Sequence, residues 1–575
     1  MKQTFGMGYQ SFREIRTENI FYIDKTGFIK EWWEYADKVT LITRPRRFGK
    51  TLNLSTLECF FSNQYADRGD LFEGLSIWNE KEPNGEYKYR QLQGTFPTIF
   101  FSFARIKSAK YEDIEYAVTK IIAELYEQNR YLLESDILSE NEKNYFKEIK
   151  AGMDKKVAVD AVYSLTEFIS RYYNKDVMIL LDEYDTPMQE AWLSGNWDKA
   201  VNFFRSFFNA TFKTNPHLYR GVITGITRIS KESIFSDLNN LEVVTTTSEK
   251  YAAYFGFTEE EVFQALDQSG LGEHKQGVKQ WYDGFTFGAY KDIYNPWSIL
   301  SFISKKGKYN TYWADTSSNE LVNSLMRTGT AHTKQVVENL LLGKSFNAII
   351  DEQIVFQYLD ESSNAVWSLL LAAGYLKVAA CEELTAERMD ALHYTLMLTN
   401  REVLLMFRKM VKGWFRIDEE DSAYNNFVKA LLLDDVDAMN EFINKIALQS
   451  FSSFDVAKNA SDMDEPERFY HGFVLGLMVD LEGRFVINSN KESGFGRYDI
   501  MLKPLNKEKD NAYIIEFKVH KPNKEKDLKE TAGNALAQIE EKKYETQLLA
   551  EGIKREHIRK YGFAFQGKTC FIGSM

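Results

Sequence analysis

Residues 39–51 read VTLITRPRRFGKT and run into LNLSTLECFF at 52–61. The β-branched run predicts a buried strand, and the spacing of Leu52, Leu54, Leu57 and Phe61 predicts an amphipathic helix. Between them lies a loop ending in Gly49-Lys50-Thr51. Strand, loop and helix in this order are what a phosphate-binding loop requires. Backbone N–H groups and the helix N-terminus would cradle phosphates, Lys50 would reach the β and γ oxygens, and the Thr51 hydroxyl would ligate Mg²⁺. Arg47 and Gly49 complete the expected nucleotide contacts. The general loop pattern begins with glycine, and Arg44 stands in that place.

Three further apolar strands follow outward from this loop. They are TIFFSF at 98–103, VMILL at 177–181 and GVITG at 221–225. The second of these ends in Asp182-Glu183. An aspartate there can hold Mg²⁺ through water, and Glu183 can polarise the attacking water. After GVITG come Ile226-Thr227-Arg228, so Thr224 and Arg228 are candidates to meet a γ-phosphate. ATP and Mg²⁺ are the expected cofactors.

The order of P-loop strand, extra strand, DE-terminated strand and sensor strand resembles ATPases with an additional strand and a catalytic Glu. Residues 1–330 are similar to the AAA-ATPase-like family of bacterial proteins. The matching stretches are Phe21 to Thr26 (FYIDKT), Arg44 to Thr51, and Leu181-Asp182-Glu183-Tyr184-Asp185. They continue in Gly225 to Arg228, Trp281 to Gly284 (WYDG) and Tyr294-Asn295-Pro296. The resemblance implies that Arg44 belongs to the family's own loop pattern, and it implies a bacterial source.

Helical periodicity dominates from 236 to 316, as expected of a lid over an ATPase core. Trp281, Tyr282 and Trp297 would close that lid or stack on adenine. Residues 317–454 also read as mostly helical, including VWSLLLAAGYLKVAA at 366–380, and form an expected helical spacer without a chemical constellation.

Near the C-terminus, Gly496-Arg497-Tyr498-Asp499 opens one strand and Ile514-Ile515-Glu516-Phe517-Lys518 lies in another. Glu516 and Lys518 share a face, and a hairpin would bring Asp499 to the same end. Two carboxylates beside an ammonium suit a Mg²⁺ that activates water against a phosphodiester. Charges intruding into an otherwise burial-suited strand need a reason, since unpaired buried charge is costly.

Helix, three strands and helix, over residues 455–575, resemble the PD-(D/E)XK nuclease superfamily, in the branch fused to AAA-ATPase-like domains. The residues carrying the match are Glu467, Asp499, Glu516, Lys518, and Gln538 with Lys542 and Tyr544; Tyr498 stands where the superfamily has proline. The resemblance implies one or two Mg²⁺ on Asp499 and Glu516, with Glu467 ligating through water. Lys518 would orient or deprotonate water, or balance phosphorane charge. Gln538 and Lys542 would bind the scissile phosphate. His471, four residues after Glu467, reads as a core or cap histidine.

The chain has 575 residues, 71 Lys+Arg against 83 Asp+Glu, and a net charge of −12. Residues 455–575 hold 20 of each sign, so all of the excess lies in 1–454. Bulk attraction for nucleic acid is therefore excluded, and local basic clusters must serve. Lys554-Arg555 and Arg559-Lys560 read best as a solvated helix face. Cys59, Cys381 and Cys570 form neither a disulfide framework nor a zinc spacing. With no signal core and no apolar run of spanning length, a cytoplasmic protein is expected.

The fold class expected is α/β: a P-loop ATPase domain (1–235), helical lid (236–316), helical spacer (317–454) and restriction-endonuclease-like domain (455–575). The expected activity is ATP-controlled, Mg²⁺-dependent cleavage of nucleic acid, DNA ahead of RNA, in defence or mobile-element biology. The alternatives are an ATP-driven signalling switch whose C-terminal domain binds nucleic acid without cutting, and a nuclease with a merely structural P-loop. No membrane partner is expected, and the family type allows a homo-oligomeric ring.

Overall fold

The computed structural model describes the chain except residues 1–3, 83, 109, 229–233, 236–237, 315–321, 323–324, 327–330, 342, 351–362, 382–392, 414–422, 451–473, 475–477, 479–480, 482–483 and 494–495. It divides into two compact units: residues 1–321 with 347–403, and residues 322–346 with 404–575.

The first unit is built on a parallel sheet. Its strands are β1 (Val39–Thr43), β2 (Thr98–Ser102), β3 (Val177–Asp182), β4 (Leu218–Gly225) and β5 (Leu241–Val244), in the order β2-β3-β4-β1-β5. Every residue of β1 and β3 is buried. Parallel strands need crossover connections that cover both faces, which explains continuous apolar runs in place of alternation. Helices Lys50–Phe61, Tyr111–Gln128, Lys155–Tyr173 and Trp197–Phe208 supply much of that cover. The last brings Phe203, Phe204, Phe207 and Phe208 together, with Phe204 and Phe207 against Phe103. Because strand order places β1 beside β4, the phosphate-type loop opens at the carboxyl end of the sheet next to β3 and β4.

The fifth strand lies past residue 235, where the sequence places the start of the lid. Residues 236–316 also contain a small antiparallel sheet of β6 (Phe257–Thr258), β7 (Phe285–Phe287) and β8 (Tyr290–Tyr294). Its strands have two to five residues, too short for periodicity to register. Helices Glu259–Ser269, Lys275–Tyr282 and Pro296–Ser304 pack Val262, Leu266, Val278, Tyr282, Tyr294 and Phe302 into one cluster.

The helix predicted through VWSLLLAAGYLKVAA stops at Ala372. Gly374 takes φ +85°, a left-handed turn open to glycine, and the chain continues as strand β10 (Leu376–Cys381). It joins β9 (Phe346–Ile349) and β11 (His393–Leu398) in the order β10-β11-β9.

The second unit centres on a five-stranded mixed sheet of β12 (Phe485–Ser493), β13 (Gly496–Pro504), β14 (Ala512–Val519), β15 (Ile558–Gln566) and β16 (Thr569–Ser574), in chain order. Only β14 and β15 are parallel, and helix Leu528–Glu541 makes that crossover. Arg559 and Lys560 stand on β15 and not on a helix. They are consumed by ion pairs: Arg559 Nε with Asp434 at 2.7 Å and Lys560 Nζ with Glu545 at 2.5 Å. The edge of β16 is covered by helix Val436–Ser450. The Asn440 and Asn444 side-chain amides each donate to and accept from that strand, at Ile572 and Cys570, over 2.7–2.9 Å. An exposed edge that invites pairing is thereby closed.

Candidate functional site

Lys50 begins its helix immediately after Gly49, which has φ +80°. A Cβ there would point into open space, so glycine is needed for the backbone and not for clearance from the protein. The Lys50 Nζ donates to the carbonyls of Arg44 and Pro45, each at 3.0 Å. Burial lowers the Lys50 pKa, opposed by the nearby charges of Glu183, Asp182 and Asp185. Thus a desolvated ammonium sits within the field of three carboxylates from the end of β3.

Asp182 is the meeting point of the loop and the sheet. It accepts from Thr51 Oγ1 at 2.8 Å, from Thr224 Oγ1 at 2.6 Å and more weakly from Ser102 Oγ at 3.4 Å. Burial raises its pKa, and the Glu183 charge adds to this. A hydroxyl and a carboxylate converging on one another are hard oxygen donors of the kind Mg²⁺ prefers, so the residues present fit a Mg²⁺. Glu183 follows at φ +50°, an uncommon backbone for a non-glycine residue. Asp185 is fully buried in a neighbouring role. Its Oδ2 accepts from the Ile226 and Thr227 N–H groups at 3.0 and 2.9 Å, which ties the end of β3 to the turn after β4.

Arg44 explains the missing first glycine of the loop. Its buried guanidinium donates to the carbonyls of Thr43 at 2.9 Å and Thr245 at 2.5 Å, and lies 4.6 Å from the Phe287 ring centre. It forms a floor under the loop. Arg47, at φ +67°, lays its guanidinium on the Trp297 ring at 3.8 Å. Burial lowers its pKa against the opposing charge of Glu183. Trp297 thus stacks on an arginine of the loop. Arg228 is half-buried and lines a small cleft with Thr43, Thr245, Thr246, Thr247 and Ser368.

Trp313 and Asn295, neither given a role by the sequence, hold the loop. The Arg46 carbonyl accepts from Trp313 Nε1 at 3.0 Å and from Asn295 Nδ2 at 3.3 Å. Asn295 belongs to the YNP stretch, but no local pattern marks Trp313.

In the second unit, β13 and β14 pair at Ile500↔Ile515, Met501↔Ile514 and Leu502↔Tyr513. The next register position sets Asp499 opposite Glu516, so the two share a face. The ladder ends there: the Asp499 Oδ2 accepts the Phe517 N–H at 2.8 Å, taking a place a backbone carbonyl would otherwise fill. Glu516 is buried, and Lys518 Nζ lies 4.0 Å from its Oε1. Gln538 donates to Glu516 Oε1 and, at 3.2 Å, to the Tyr544 hydroxyl. Burial raises the Tyr544 pKa, and the charges of both Glu516 and Asp499 push it further. Two carboxylates and a lysine therefore meet around one face, a donor set that fits Mg²⁺.

The approach of Gln538 depends on Gly562, which pairs with Glu516 across β14 and β15. A Cβ at Gly562 would stand 2.4 Å from the Ala532 carbonyl oxygen and 3.1 Å from the Ala535 Cβ. Lys542 caps the same helix and is partly exposed beside Glu541. Glu467 and His471 lie outside the described residues.

Among the described residues no helix is long and apolar enough to cross a membrane. Residues 6–235 match the family model described as "Predicted AAA-ATPase", and residues 465–575 match that of the PD-(D/E)XK nuclease superfamily. A relative described as "Uncharacterized protein in vnfD 5'region", from Azotobacter chroococcum mcd 1, is 26% identical over 401 residues. That match covers 68% of this chain and 66% of the relative, just under two thirds of its length. Among solved structures, the Aeropyrum pernix ORC2 protein in ADPNP–ADP complexes is similar at 10% identity with a TM-score of 0.24. It covers 71% of this chain and 97% of that one.

Proposed function

We propose that this chain, which joins an AAA-ATPase-like domain to a PD-(D/E)XK nuclease-superfamily domain, cleaves nucleic-acid phosphodiesters under the control of ATP. The observation that carries the reading is the face shared by Asp499, Glu516 and Lys518 at the end of the β13–β14 ladder. Mg²⁺ held by Asp499 and Glu516 would supply an acidified water and charge neutralisation at the phosphate. Lys518 orients that water or balances charge on the phosphorane. Gln538 fixes the rotamer of Glu516 and leaves the carboxylate correctly turned. Glu467 is assigned as a water-mediated ligand.

In the first unit Thr51 and Asp182 hold the Mg²⁺ of an ATP, Lys50 and Gly49 accommodate its phosphates, and Glu183 polarises the hydrolytic water. Arg47 and Arg228 complete the charge complement around the nucleotide. The ATPase core is assigned to 1–235 with β5, and the lid to the rest of 236–316. The expected spacer is shared out, 347–403 to the first unit and 322–346 with the stretch from 404 to the second.

The segment after Lys518 supports a nucleic-acid partner despite the chain's net negative charge. Lys521, Lys524 and Lys526 of this segment and Lys529 at the start of the following helix are exposed, and the neighbouring acids accept from backbone amides. Glu525 accepts from the Lys521 N–H at 2.9 Å, Asp527 from the Glu530 N–H at 2.9 Å, and Glu530 from the Lys526 N–H at 2.6 Å. These exposed lysine ammonium groups can meet phosphates of a nucleic-acid backbone, DNA ahead of RNA. Such a machine fits defence against foreign DNA or mobile-element biology.

The test is cleavage of plasmid DNA and of RNA by the full chain with Mg²⁺ or Mn²⁺ and ATP, beside Lys518→Ala and Lys50→Ala. Lys518→Ala is expected to lose at least about a hundredfold in rate. If neither wild type nor variant cuts either polymer, the nuclease reading fails and the switch remains. Unchanged cutting by Lys50→Ala, without ATP binding by either protein, would remove ATP control.

A further inference from the structure

The carbonyls of the phosphate-type loop are tethered in sequence. Lys50 holds those of Arg44 and Pro45, and Trp313 with Asn295 holds that of Arg46. This matters because an anion is bound by amide N–H groups, and a carbonyl swung toward it would repel it. A donor outside the loop that keeps the Arg46 carbonyl engaged therefore keeps the adjoining amides available.

What seats Trp313 is Glu402. Its carboxylate is 1% exposed, and its Oε1 accepts from three consecutive backbone N–H groups. These are Tyr312, Trp313 at 2.6 Å and Ala314 at 3.4 Å. Its Oε2 accepts from Ser298 Oγ at 2.8 Å. Ser298 follows Asn295 on one helix turn, and the Asn295 side chain caps that turn by accepting from the Trp297 N–H at 2.9 Å. One buried carboxylate thus fixes both donors to the Arg46 carbonyl: Trp313 through the backbone it gathers, and Asn295 through the turn Ser298 belongs to. A carboxyl group is tolerated in so buried a place when this many donors converge on it. Burial raises its pKa, and the four donors act the other way.

We infer that Glu402 is a positioning residue of the nucleotide site, setting the loop conformation through Trp313 and Asn295, more than eighty residues away from it in sequence. The inference rests on the reading of that loop as an ATP site. It predicts a loss in nucleotide affinity that is separate from any loss in folding stability.

The experiment measures binding of a slowly hydrolysed ATP analogue with Mg²⁺ to the full chain, together with the ligand-free melting midpoint. Trp313→Phe keeps an aromatic ring and removes the indole donor, and should weaken binding by about tenfold, the worth of one buried hydrogen bond. Glu402→Gln keeps an oxygen for the three amides and should stay within about threefold of wild type. Glu402→Ala should fall at least as far as Trp313→Phe. If Glu402→Ala does not fold, Trp313→Phe and Asn295→Ala decide the matter alone. Wild-type affinity in Trp313→Phe and Asn295→Ala, or a loss that appears only as melting nears the assay temperature, overturns the inference. A wild type that binds no analogue fails the ATP reading itself, a result distinct from variant-specific loss.

Discussion

Burial has pushed several carboxyls of the first unit upward, and Glu58 is the case with the clearest titration. Desolvation raises it to about 7, with Arg13 opposing. A raised native pKa means that the protonated form is favoured on folding. The stabilisation is full below the ordinary range near 4.5 and is lost as pH rises through about 7. Discounted for its remaining exposure, the effect is about 2 kcal/mol. Calorimetry should show the first unit's melting midpoint falling between pH 5 and pH 8 in wild type. Glu58→Gln should flatten that slope and melt higher than wild type at pH 8. At this scale much was legible. Lys50, Thr51, Asp182 and Glu516 announce themselves by local spacing. Glu402 does not, because its partners are separated from it by 88 to 104 residues and no short pattern carries them.

At the scale of elements, the register of β14 with β15 decides whether the second site is assembled at all. Gly562→Ala would press a methyl group onto the Ala532 carbonyl and force the helix Leu528–Glu541 outward. Overpacking of this kind costs about 1–3 kcal/mol. Because that helix carries Gln538, cleavage should drop more steeply than stability. Circular dichroism melts and initial rates on one preparation would separate the two, and equal losses would deny the helix a positioning role. Apolar strand runs of five to eight residues were readable, as were the longer helices. What sequence could not show was where such runs stop. Gly374 turns a helix into a strand, and β5 joins the sheet from beyond the expected core. Arg559 and Lys560 were read as helical because charge clusters say nothing about period.

For the whole molecule, two compact units predict two unfolding transitions. An ATP analogue with Mg²⁺ at a hundred times its Kd should stabilise the first unit by about 2.7 kcal/mol. The second unit's transition should then stay where it was. A short duplex oligonucleotide with Mg²⁺, added to the Lys518→Ala variant to prevent cutting, should raise only the second. Scanning calorimetry, with hydrogen exchange to assign each transition, checks both. A single transition moved by either ligand would mean that the units unfold together. Removing divalent ions with EDTA should end cleavage, and Mg²⁺ or Mn²⁺ should restore it.

The Phe517 amide, held by Asp499 in place of a strand neighbour, has a consequence for reading relatives of this chain. A relative without the proposed cleavage activity would still need an acceptor at that position to finish its sheet, so aspartate there would be kept by architecture alone. Its presence is poor testimony to an active enzyme. Glu516 and Lys518 stand together on the proposed metal-binding face, and their joint survival or loss is the better witness.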